Sequence, residues 1–63
     1  MNGRELKERL YNMARENRKM PWDALMGVVN AIMGVYMVRG LDYDAEQAIK
    51  SMERFNRSGV LAF

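Results

Sequence analysis

No charged residue occurs between Ala24 and Val38, and Asn30 is the only polar side chain in that run apart from the Tyr36 hydroxyl. A helix that is apolar on every side has to be buried on every side, in protein or in lipid. The chain has 63 residues, and two short flanking helices cannot easily enclose a third. The run therefore asks for something beyond one copy of this chain: a second copy, another protein, or a membrane.

Size sharpens the point. A domain this small hides only ~60% of the surface its unfolded form exposes. Such scaffolds are usually rescued by disulfides, metal or oligomerisation. The sequence contains neither Cys nor His. That removes disulfides, thiolate metal sites, the commonest zinc ligand and the usual general base near neutral pH. Oligomerisation remains, and a cysteine-free chain also suits a reducing cytoplasm. The first apolar run follows twenty mostly polar residues, so no secretory leader is expected.

The pattern predicts one all-α domain over residues 1–63, a compact three-helix bundle with a central apolar helix, self-associating. Helix 1 is expected over about 3–18. Asn2 is a good N-cap with Glu5 three residues on, and Leu6, Leu10, Met13 and Asn17 share a face with Ala14 at its edge. Pro21 disfavours helical geometry at Met20. Helix 2 is expected over about 21–39, with Pro21 in the first turn, Arg39 at the negative end and Gly40 as the left-handed stop. Helix 3 is expected over about 44–58, capped by Asp44 with Gln47 three residues on and stopped at Gly59. Its inner face reads Ala48, Ile49, Met52, Phe55 and Asn56. Residues 60–63 form an apolar tail, either folded back on the core or given to a partner.

Two seams run along helix 2. Ala24, Gly27, Ala31, Gly34 and Val38 form a groove of mostly small residues, and Leu25, Val29, Ile32 and Tyr36 form a bulky seam. One arrangement packs helices 1 and 3 on a seam each. The other keeps one seam internal and gives the second to a symmetry mate. The small seam is the candidate for self-contact, because two glycines inside a helix cost roughly 1 kcal/mol each relative to alanine and close approach would compensate.

The formal charge is +2 but uneven: residues 1–20 carry six basic against three acidic side chains, and residues 21–63 carry four against five. Arg4, Lys7, Tyr11, Arg15 and Arg18 fall on one side of helix 1. Such a stripe could be a solvated face with pairs such as Glu5–Arg9, dock on an acidic protein, or track phosphates with Tyr11 as a stacking face. Trp22, Met26 and Phe63 are candidates for a hydrophobic partner.

Catalytic chemistry is not legible. Ser51 and Ser58 have no histidine to activate them. Asp42, Asp44 and Glu46 lack the central glycine and distant glutamate of a calcium loop. The same acids would repel DNA if helix 3 were a recognition helix. No metal or cofactor is expected. The expected role is non-enzymatic: a protein-interaction module acting as adaptor, regulator or inhibitor through a helical homodimer with a protein partner. The alternatives are a nucleic-acid-binding accessory protein using helix 1 and a small membrane-associated helical protein. The second is disfavoured because a spanning helix needs ~20 apolar residues and this run is shorter.

Overall fold

The computed structural model describes residues 2–36 and 42–61. Three helices, α1 (Gly3–Glu16), α2 (Trp22–Tyr36) and α3 (Asp42–Ser58), each pack against the other two. This is the expected all-α three-helix bundle.

Helix α1 begins where its cap dictates. Asn2 Oδ1 accepts from the Glu5 N–H at 2.9 Å, and the Asn2 carbonyl accepts from the Leu6 N–H at 3.0 Å. The Glu5 carboxylate also accepts a long contact from the Asn2 side-chain amide at 3.5 Å. Asn2→Ala is expected to lower stability by about 1 kcal/mol, read as a shift of the urea midpoint at unchanged slope.

The end of α1 falls short of Arg18. The Asn17 N–H turns back to the Ala14 carbonyl at 3.0 Å, and Asn17 Oδ1 accepts from the N–H groups of Lys19 (2.9 Å) and Met20 (3.2 Å). A side chain that binds the backbone ahead of it competes with helix continuation, so Glu16 is the last helical residue. Arg18 and Lys19 consequently lie in the α1–α2 turn. Helix α2 opens at Trp22, with the Pro21 carbonyl accepting from the Leu25 N–H at 3.1 Å. Proline there loses nothing, since the first N–H groups of a helix have no partner within it. The expected stop at Arg39 and Gly40 lies outside the described residues.

Helix α3 starts two residues earlier than its capping pattern implied. Asp44 is therefore not a cap but the third helical residue, on the face that continues through Ala48, Met52 and Phe55, and it is only 1% exposed. The far end behaves as expected. Gly59 has φ +76° and donates its N–H to the Phe55 carbonyl at 2.8 Å, a left-handed stop that glycine adopts without steric cost.

The core takes Leu6, Leu10, Met13 and Ala14 from α1, the bulky seam Leu25, Val29, Ile32 and Tyr36 from α2, and Ala45, Ala48, Met52 and Phe55 from α3. Ile49 is half-buried against it, and so is Leu61, which folds back from the tail. Inside this core the Tyr36 and Ser51 hydroxyls meet at 3.2 Å, giving two buried polar groups a partner.

Candidate functional site

The structure decides between the two seams of α2. Both neighbouring helices use the bulky one. The small one faces away: Gly27 and Gly34 are exposed, and Ala24 and Ala31 are half-buried. A Cβ built on Gly27 or Gly34 would meet nothing within 4 Å. The arrangement with one flanking helix on each seam is therefore wrong. With bulky side chains available on one stripe, burial of Leu25, Val29 and Ile32 against both α1 and α3 removes more apolar area from water than splitting the neighbours between seams. Neither glycine is required by the fold, because neither has a positive φ or a close neighbour. Val38, the last position of the small seam, lies outside the described residues, as does Phe63.

The basic stripe of α1 survives in part. Arg4, Lys7 and Arg15 are exposed on the helix, and Tyr11 is half-buried with its ring against the core. The Lys7 ammonium lies 5.6 Å from the Tyr11 ring centroid, so the aromatic face already holds a cation. Arg15 donates to Asn12 Oδ1 at 2.8 Å. Glu8, Tyr11, Asn12 and Arg15 border a shallow cavity of about 230 Å³. Arg18 is not part of this row, because the helix has ended at Glu16. Among the described residues no ion pair forms between Glu5 and Arg9, and Arg4, Lys7 and Arg18 have no carboxylate partner.

The hydrophobic candidates diverge. Trp22 stands 46% exposed at the start of α2, whereas Met26 is half-buried against the core. One feature that periodicity did not reveal joins the ends of α1 and α3. Asn17 Nδ2 donates to Asn56 Oδ1 at 2.9 Å, and Asn56 Nδ2 donates to the Met13 carbonyl at 3.0 Å. Both asparagines sat on the predicted inner faces. That placement was the only available signal, and it could not indicate that they meet. Around this junction Asn17, Lys19 and Asn56 border two adjoining shallow cavities.

The serines serve the fold locally. Ser51 is held by Tyr36, while Ser58 Oγ donates to the Arg54 carbonyl at 2.8 Å and accepts from the Val60 N–H at 3.2 Å. Among the described residues no group of three acidic, histidine or cysteine side chains is placed to hold a metal ion, and no helix is long and apolar enough to cross a membrane. No protein-family model, curated protein or solved structure matches this chain.

Proposed function

We propose that this chain is a non-enzymatic interaction module, a small cytoplasmic adaptor, regulator or inhibitor that acts as a two-fold dimer and binds another protein. The observation that carries this reading is the small-residue stripe on the outer side of α2, with Gly27 and Gly34 exposed and Ala24 and Ala31 half-buried. Glycine in a helix interior is unfavourable by roughly 0.8–1 kcal/mol relative to alanine. Since the fold itself makes no use of either glycine, a close-approaching backbone is the compensation we assign to them. An isologous contact along this stripe would also cover apolar surface that the other two helices leave in water.

The test separates folding from association. Gly27→Ala with Gly34→Ala is expected to raise the stability of the dilute monomer by about 1–2 kcal/mol, because the helix gains propensity and both Cβ atoms enter open space. The same pair is expected to weaken self-association, and Gly34→Leu to abolish it, in sedimentation or light scattering across a concentration series. A wild-type chain that stays monomeric at high concentration rejects the dimer, and a Gly34→Leu variant with wild-type mass rejects this seam.

A second reading, nucleic-acid binding by α1, is supported by the cations Arg4 and Lys7 that have no carboxylate partner among the described residues. It predicts a steep fall of affinity with salt. The occupied Tyr11 face and the loss of Arg18 from the row weaken it.

A further inference from the structure

At the end of the bundle where α1 stops, α2 begins and α3 stops, cations and apolar side chains stand together in water. Arg18 and Lys19 in the turn and Arg57 in the last turn of α3 are exposed, and among the described residues none is ion-paired. Met20 is 39% exposed, Trp22 46% and Val60 59%, and these are the large hydrophobic side chains that the fold leaves exposed among the described residues. Lys19, Met20, Arg57 and Gly59 border one shallow cavity of about 150 Å³. The turn and the end of α3 thus form one surface although they are remote in sequence, and the Asn17–Asn56 hydrogen bond holds them together.

We propose that this end is a docking surface for a short segment of another polypeptide, one that carries carboxylates beside an aromatic or aliphatic anchor. The inference rests on the protein-binding half of the reading above and not on self-association. Charge complementarity supplies the acidic character: Arg18 and Lys19 precede Met20 in the turn, and Lys19 and Arg57 border the same cavity as Met20. Trp, Met and Arg are the residue types enriched at the centres of protein interfaces. Asp23, exposed beside Trp22, separates the classes of partner. Its carboxylate opposes a phosphate-lined nucleic acid or an anionic lipid surface, whereas a polypeptide can set one basic side chain against it. Nor do a turn and two helix ends offer the continuous apolar face by which an amphipathic helix enters lipid.

Trp22 is the sole tryptophan of the chain, so its fluorescence reports on this surface alone. The experiment pans a library of random displayed peptides against the purified chain. Synthetic versions of the recovered peptides are then titrated, following Trp22 emission and the amide NMR spectrum. The expected peptides are rich in Asp or Glu next to an aromatic or leucine residue. They shift the Trp22 emission to the blue and move amide signals in residues 18–23 and 55–60. Lys19→Glu and Arg57→Glu, at exposed positions, are expected to weaken binding about tenfold or more each with an unchanged helical circular-dichroism signal. Failure to recover any binder overturns the proposal. So do peptides without acidic residues, signal changes confined to α1 or the outer side of α2, or charge reversals without effect. A stronger response to phosphatidylserine vesicles or a DNA duplex than to every peptide assigns the surface to that other class and overturns it equally. Light scattering on the same samples reads the dimer independently, so loss of peptide binding and loss of self-association are told apart.

Discussion

Leu10→Ala is expected to lower the melting temperature of the folded chain by about 10 °C or more. Leu10 is wholly enclosed, at 0% exposure, among core residues from all three helices. Truncating such a leucine costs about 2–5 kcal/mol, because the lost transfer energy is joined by the cavity left behind. A domain of this length commands only about 3–9 kcal/mol in total. One side chain therefore carries a large share of the whole. The measurement is a thermal melt by circular dichroism at low protein concentration, so that self-association does not add apparent stability. Leu10→Met, which conserves volume, is expected to cost less than about 1.5 kcal/mol. At exposed Arg9, alanine is expected to change stability by no more than about 0.5 kcal/mol. A Leu10→Ala variant that melts beside the wild type would refute this account of the core.

The second large effect is expected at the junction of the two asparagines. Because the Asn17 N–H bonds to the Ala14 carbonyl, it is not available to the Met13 carbonyl four residues back. A continued α-helix would have filled that acceptor from Asn17. Asn56 fills it instead, with its Nδ2 at 3.0 Å. Asn56→Ala leaves a part-buried carbonyl and one hydrogen of the Asn17 amide without partners, a loss of about 1–3 kcal/mol. Asn17→Ala removes in addition the acceptor for the Lys19 and Met20 N–H groups. The two substitutions share a bond, so the double variant is expected to be less destabilised than the sum, with a coupling of about 0.5–3 kcal/mol in urea denaturation. Strict additivity would show that the clasp contributes nothing of its own. Faster hydrogen exchange at the Lys19 and Met20 amides in Asn17→Ala provides the local check.

The proposed self-association and the proposed peptide docking would use different parts of α2. The small-residue stripe occupies its outer side, and Trp22 stands at its first turn. On these two proposals a dimer contact and a partner contact would not exclude one another, and Gly34→Leu is expected to affect only the first.

Much of this was legible in the order of residues because it is local. The spacing of Leu6, Leu10 and Met13 marks one side of a helix, since 3.6 residues complete a turn. Asn2 before Glu5 marks where that helix begins, and Gly59 after Ser58 marks where another ends, because each works through atoms only a few bonds away. Periodicity also separated the two seams of α2. It could not choose between them, since angular position on a helix says nothing about where the neighbouring helices lie. Asp44 departs from the expected cap for a related reason. A capping pattern fixes a helix start only if no earlier start is better supported, and α3 begins at Asp42, which turns Asp44 inward.

The sequence by itself determined three helices and their apolar faces, both consequences of short-range backbone geometry and side-chain chemistry; the oily excess it suggested on the middle helix is largely enclosed, with Met26, Val28, Met33 and Val35 packed against the core. The tertiary structure alone decided that the bulky seam is the one enclosed, that Asn17 meets Asn56, and that Lys19 and Met20 border one cavity with Arg57 and Gly59. Those contacts join residues far apart along the chain, and only the packing of whole helices brings such residues together.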